Sequence, residues 1–339
     1  MKSVFKVLPV FLLMLSCGSN SKIISEEDAD FVIAFGSCNK EDEPQPLWNP
    51  ILLNDPDLFI WGGDNIYSDT DDPDKMKADY HLQNQILGYQ KVLDKIPVMG
   101  TWDDHDYGLN DGGKEWHFKE ESQQLFLDFF DVPHNSPRRN REGVYHAEVF
   151  ETAKGSVKAI VLDTRYFRDA LIRSEDANRR YEPSTGGTIL REDQWNWLAA
   201  ELENSNADFN IIMSSIQILS VEHGYETWGN FPLEIEKLKE LIISSEAKNV
   251  MLLSGDRHIS EFSKIEVKGL NYPLFDFTSS GLNNNWSNFG GEPNRNRVGE
   301  VISEKSFGLL KFDFDKNKVE MEMRGGNNEL LQDYMVEFQ

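Results

Sequence analysis

Hydrophobic and polar positions alternate along the chain in two registers. Short, continuous apolar runs predict buried strands: Phe31–Phe35, Asp57–Trp61, Ile96–Trp102, Val157–Leu162, Phe209–Met213 and Asn249–Leu253. Between them, Lys77–Leu93, Trp116–Phe130, Glu192–Leu202 and Leu233–Ile243 place apolar residues three and four apart, the period of an amphipathic helix. The tail changes to short strands, Glu261–Val267 and Leu274–Thr278, then a hairpin, Leu309–Phe314 with Lys318–Met323, turned at Asp315-Lys-Asn. Strand–loop–helix units followed by a β-rich tail predict an α/β sandwich of mixed sheets. No linker composition divides it and no internal repeat is visible, so one domain follows the N-terminal region.

What sits at the ends of the apolar runs is the second regularity. Four of the runs end in Cys38, Asp64 with Tyr67, Asp103-Asp104-His105-Asp106, and Asp256 with His258. Loops after buried strands collect at one edge of an α/β sheet, where ligands bind. A single carboxylate there reads equally well as a helix N-cap. Four clusters together read differently, because carboxylates gathered at one edge repel each other and need cations. Thiolate, phenolate and carboxylate suit a trivalent or borderline ion; carboxylates with few nitrogens suit Ca2+, Mg2+ or Mn2+. A dinuclear centre with one site of each kind fits this inventory, and such a pair holds phosphate oxygens and makes a hydroxide nucleophile.

Charge and composition narrow the function classes. The 339 residues include 58 acidic and 34 basic side chains, a formal charge of −24. That balance excludes DNA or RNA as partner, since phosphate binding draws on clustered Lys and Arg. Arg138-Arg-Asn-Arg141 is the one basic cluster and is too small for a nucleic-acid surface. Two cysteines cannot form a disulfide scaffold. The N-terminus carries Lys2 and Lys6 before an apolar run, Val7–Leu15, too short to span a bilayer. It reads as a secretory signal over 1–16, and Met14-Leu15-Ser16-Cys17 resembles the bacterial lipoprotein box, whose cysteine is acylated. The alternative is plain secretion with Cys17 discarded. Residues 17–30 read as a polar tether and 31–339 as the domain. The expected location is therefore the bacterial cell envelope, with a lipid anchor on Cys17 as the membrane contact.

The motifs Phe-Gly-Ser-Cys38-Asn, Gly-Gly-Asp64-Asn-Ile-Tyr67, Gly-Thr-Trp-Asp-Asp104-His105-Asp-Tyr-Gly and Leu-Ser-Gly-Asp256-Arg-His258 resemble the alkaline phosphatase D (PhoD-like) branch of the metallophosphoesterases. Leu162-Asp-Thr-Arg165, Gln194-Trp-Asn-Trp-Leu198 and Phe275-Asp-Phe-Thr-Ser-Ser-Gly281 add to it, so the likeness runs from about Phe31 to Gly325. The resemblance implies a four-layer αββα sandwich and an Fe3+–Ca2+ centre. By similarity Cys38, Asp64, Tyr67 and His258 hold iron, Asp64 bridges, and Asp104 and Asp256 serve calcium. Asp104 stands where many relatives carry Asn, with Asp103 as the alternative. Another divalent ion is compatible with the second site. Ser-Cys38-Asn and Gly-Asp256-Arg-His258 replace the wider superfamily's Asp-x-His and Gly-His-x-His, which counts against a two-histidine zinc or manganese centre.

The implied function is an exported phosphomonoesterase or phosphodiesterase, a monomer acting on small phosphate esters. Its expected mechanism is in-line attack of a metal-bound hydroxide on phosphorus while His105 protonates the leaving oxygen. Arg165 or Arg257 adds a charge-assisted bond to phosphate, or Arg165 makes a salt bridge with Asp163 or a neighbour. The competing class is a metal-stabilised surface binding lipoprotein without turnover. Asp69-Thr-Asp-Asp-Pro-Asp74 reads as a solvated loop or a pocket rim. His81, His117, His134 and His146 read as structural, with His223 standing apart because it follows a strand near the presumed site. Gly108–Trp116, Arg168–Gly187 and Ser280–Arg297 read as pocket loops.

Overall fold

A computed structural model describes residues 29–338, so the leader and Cys17 lie outside the described residues. Its elements are β1 (Phe31–Gly36), α1 (Trp48–Leu52), β2 (Leu58–Gly62), α2 (Pro73–Asn84), α3 (Leu87–Lys95), β3 (Val98–Thr101), α4 (Asp104–Tyr107) and α5 (Lys119–Phe129). Next come β4 (His146–Glu151), β5 (Ser156–Val161), β6 (Ile172–Arg173), β7 (Tyr181–Glu182), α6 (Arg191–Glu203), β8 (Phe209–Met213), α7 (Pro232–Ser244) and β9 (Val250–Ser254). The tail is β10 (Ser260–Ile265), β11 (Leu274–Ser279), β12 (Arg297–Ile302), β13 (Phe307–Asp313), β14 (Lys318–Arg324) and β15 (Leu330–Glu337).

Two mixed sheets result. One runs β15-β14-β13-β1-β2-β3 and the other β12-β10-β11-β9-β8-β5-β4. β1, β2 and β3 are parallel, as are β5, β8, β9 and β11, so their C-terminal ends share one edge of the sandwich. Alternation along each strand explains the layering. Ile33, Phe35 and Ile60 face Ile211, Leu253 and Phe277 between the sheets. Ala34, Phe59 and Trp61 face outward against Trp48, Met76, Tyr80 and Phe126. On the far side Ile160, Ile212 and Leu252 pack against Trp195, Leu198 and Leu238. The order helix, sheet, sheet, helix is the αββα sandwich that the motifs implied.

One sequence expectation changes. The helix predicted over Lys77–Leu93 is two helices, α2 and α3, broken at Gln85 and Ile86; Gln85 caps α2 and extended Ile86 starts α3. Asp30, just before β1, is held by the strands around it. The Asp30 amide donates to the Phe312 carbonyl at 2.8 Å, and its carboxylate pairs with Lys154 at 2.7 Å. Among the described residues no helix is long and apolar enough to cross a membrane.

Candidate metal centre and active site

The four strand-end clusters converge where the two sheets meet. The Cys38 amide donates to the Gly63 carbonyl, Gly255 to Ser215, and Gly281 to Ser37, stitching the ends of β1, β2, β8, β9 and β11 together. Glycine is required at two of these joints. A Cβ on Gly63, whose φ is 97°, would lie 2.6 Å from the Asp103 Cβ; one on Gly255 would lie 2.6 Å from the Gly62 carbonyl oxygen. Cys38, Asp64, Asp256 and His258 all have positive φ, at 56°, 51°, 68° and 57°. Left-handed backbone at four non-glycine residues is strain held by surrounding structure, and it turns each side chain into the shared edge.

Around Asp64 the side chains touch directly. Its Oδ2 accepts from the Tyr67 hydroxyl at 3.0 Å and the Cys38 thiol at 3.4 Å, and its Oδ1 accepts the His105 amide at 3.3 Å. Asp64, Asp104 and His105 each bring a donor atom within 4.8 Å of the others, and so do Asp103, Asp104 and Asp256. Asp104 thus belongs to both groups. His258 closes the set beside Tyr67, with ring centroids 6.5 Å apart. Its Nδ1 is bonded to the Asn284 carbonyl, which orients the ring and leaves Nε2 as its free ligand atom, the arrangement common to metal-binding histidines.

The electrostatics favour a cation at this edge. Burial, followed by neighbouring negative charge, pushes the Cys38 thiol up to about 11 and holds Asp64 and Tyr67 well above their ordinary ranges. Burial likewise raises Asp256 to about 7 against the opposing pull of Arg257. Asp103 Oδ2 and Asp104 Oδ1 are buried without a hydrogen-bond partner. Anionic donors held together, with two orphaned carboxylate oxygens among them, are costly alone and become favourable around cations. Thiolate, phenolate and imidazole on one side of Asp64 and carboxylates on the other fit a dinuclear centre of unlike ions.

His105 is the second residue of the short helix α4, whose N-cap Asp103 and N3 Asp106 form a capping box. Its Nδ1 lies 2.8 Å from both oxygens of Asp69, its ring stacks on Tyr67 at 4.1 Å, and its Nε2 lies 4.0 Å from Asp104 Oδ1. Burial works against protonation, yet Asp64, Asp104 and Asp69 together raise the imidazole to about 11. Asp69 therefore belongs to the site, on the pocket-rim side of the two sequence readings. A carboxylate within five residues of a strand-end aspartate was the available signal.

Arg165 lies elsewhere than a substrate contact would. It is 0% exposed, with Nη2 2.5 Å from Asp103 and Nη1 2.6 Å from Glu226, which also pairs with Arg168 at 2.8 Å. The salt-bridge alternative describes it, but with distant partners; Asp163 instead receives the Trp102 indole and the Val144 and Arg165 amides. Arg257 is paired with Glu292 at 2.5 Å.

A family model described as PhoD-like phosphatase matches residues 76–322. The chain belongs to the PhoD-like phosphatase family. The matched span contains Asp104, His105, Arg165, Asp256 and His258, whereas Cys38, Asp64 and Tyr67 precede it. Alkaline phosphatase D of Bacillus subtilis (strain 168) is 28% identical over 117 residues, 32% of this PhoD-like chain and 20% of that relative's length. A solved structure of PhoD superposes with a TM-score of 0.71 at 16% identity, covering 91% of this chain and 68% of that one. GAP50, described as the anchor in the inner membrane complex of Plasmodium, gives 0.60 at 14% identity, covering 92% and 90%. A dimetal phosphatase from Danio rerio gives 0.55 at 15%, covering 92% and 100%. These three likenesses establish the metallophosphoesterase-type fold.

Proposed function

We propose that this chain is an exported, metal-dependent phosphoric ester hydrolase acting on small phosphate mono- or diesters. The observation that carries the reading is the single edge where Asp64, Asp104 and Asp256 gather beside an imidazole buttressed by Asp69. Cys38, Asp64, Tyr67 and His258 are suited to hold Fe3+, and Asp64, Asp104 and Asp256 to hold Ca2+ or a similar hard ion. Asp104 is favoured over Asp103 as ligand, because it lies within reach of both donor groups, whereas Asp103 belongs to one and is already charge-paired with Arg165. When bound, such ions neutralise phosphate oxygens and activate water.

The chain's own residues do the rest. Asp69 holds the proton on His105 Nδ1, so Nε2 is the atom that delivers a proton to the leaving alkoxide. A protonated imidazole is the form an acid needs at neutral pH, and Asp69, which this reading leaves free of any ion, favours that form through its contact with Nδ1. Tyr67, stacked on the ring, fixes its plane. Arg165 acts as a positioning residue, neutralising Asp103 and Glu226 behind the ligands. The acidic surface disfavours polyanions and favours small esters of low charge. The leader and Cys17 support an envelope location with a lipid anchor, and the domain is proposed to work as a monomer.

Purified protein supplied with iron and calcium is expected to hydrolyse p-nitrophenyl phosphate or bis(p-nitrophenyl) phosphate and to stop on chelation. Absence of turnover of both from pH 6 to 10 overturns the hydrolase reading and leaves the binding-lipoprotein alternative.

A further inference from the structure

Beside the metal centre lies a corner of aromatic side chains that the reading above does not use. The Trp286 amide donates to the His258 carbonyl at 2.7 Å, so the loop that orients His258 also fixes Trp286 next to the ligands. Tyr225 arrives from the loop after β8 and meets Trp286 nearly edge-on, with centroids 6.2 Å apart and planes at 78°. Arg257, placed between Asp256 and His258 in sequence, lays its guanidinium 4.3 Å over the Tyr225 ring. Tyr225 is 39% exposed and Trp286 is partly exposed, so ring surface remains open to solvent.

Two polar atoms in this corner lack partners. Arg257 is 5% exposed and its Nε bonds nothing, although its Nη2 is paired with Glu292. His223 is 3% exposed; its Nδ1 accepts the Tyr225 amide at 3.3 Å, and its Nε2 bonds nothing. Buried polar groups are ordinarily satisfied, so orphans beside open aromatic surface point to a ligand.

We propose that Tyr225, Trp286, Arg257 and His223 form a leaving-group subsite for phosphate esters whose alcohol carries a planar heteroaromatic ring, as a nucleoside does. The proposal deepens the hydrolase reading and rests on it. An aliphatic alcohol leaves both the ring surfaces and the unpartnered nitrogens unfilled, and a plain phenyl ring leaves the nitrogens unmet. A heteroaromatic ring stacks on an open aromatic face and brings edge atoms for hydrogen bonding.

The test compares adenosine 5′-phosphate with ribose 5-phosphate, which lose phosphate from the same primary hydroxyl of ribose and differ in the base. Wild type should prefer the nucleotide by about tenfold or more in kcat/KM, the scale of one base stacked on one aromatic side chain. Tyr225→Leu and Trp286→Leu should each reduce that ratio toward unity, while Trp286→Phe should retain most of it. Equal kcat/KM values in wild type, or an undiminished ratio in both leucine variants, overturn the proposal. Quenching of tryptophan fluorescence by adenosine and by ribose, measured with and without chelator, reads the subsite without turnover. If no ester is hydrolysed, the hydrolase reading fails, and the subsite still stands or falls on whether adenosine binds more tightly than ribose.

Discussion

The Nδ1 atom of His105 lies 2.8 Å from each carboxylate oxygen of Asp69, 36 residues earlier in the chain. This pairing fixes the imidazole's orientation and adds to the carboxylate charge that favours its protonated form. Asp69→Asn keeps the shape and removes the charge, so it should lower turnover of alkyl phosphate esters by roughly tenfold to a hundredfold, a fraction of a general acid's whole contribution. Metal content and KM should change little. Steady-state kinetics with elemental analysis decides this, and unchanged kcat would remove Asp69 from the mechanism.

Removing cations should weaken the fold in a pH-dependent way. In the metal-free protein Asp256 titrates near 7, against an ordinary carboxylate value of 3.8. Between those values the folded protein holds a proton that the unfolded chain has released, so stability falls as pH rises from about 4 to about 7. Because other groups titrate over the same range, the comparison is with Asp256→Asn: from pH 5 to 7.5 the Tm of chelated wild-type protein should fall relative to that of the chelated variant. Asp256→Asn should raise the Tm of chelated protein at pH 7.5 while abolishing activity of the metal-supplied enzyme.

Two histidines act in the opposite sense. Burial, then nearby arginine charge, keeps His146 and His223 well below the ordinary imidazole value of 6.5. The unfolded chain takes up those protons below pH 6.5 and the folded protein does not. Each residue should therefore cost about 1.4 kcal/mol of stability per pH unit of acidification below 6.5. Urea titrations of metal-supplied protein at pH 6.5, 6.0 and 5.5 should show this slope, and His146→Gln should flatten it.

Arg165 distinguishes positioning from substrate contact. Its guanidinium lies between Asp103 and Glu226, all three nearly or wholly out of solvent. Arg165→Met strands two buried carboxylates, at a cost of about 3–5 kcal/mol. A large fall in Tm is the expected result. An unchanged Tm with a raised KM would instead mark a phosphate contact.

The sequence carries the central strands because β1, β2, β8 and β9 are buried on both faces and so read as unbroken apolar runs. β4, β12 and β15 escape that reading because they are edge strands with mostly exposed or half-exposed residues. The ligand candidates were legible for the same reason as the strands, since each directly follows a buried run. Asp69 could not be singled out from sequence, because the four acids between Asp69 and Asp74 look alike until φ of 46° at Asp69 and the fold aim one of them at His105. The partners of Arg165 lie 62 and 61 residues away and emerge only once β3, β5 and the loop after β8 come together.

The most direct test of the account is the leaving-group dependence of His105→Asn, measured as kcat on an alkyl phosphate and on p-nitrophenyl phosphate with metal content verified. The account predicts a loss of about a hundredfold or more on the alkyl ester, within the range of general acid catalysis, and a much smaller loss on the nitrophenyl ester, whose leaving group needs no proton. Equal rates for variant and wild type on the alkyl ester would contradict it.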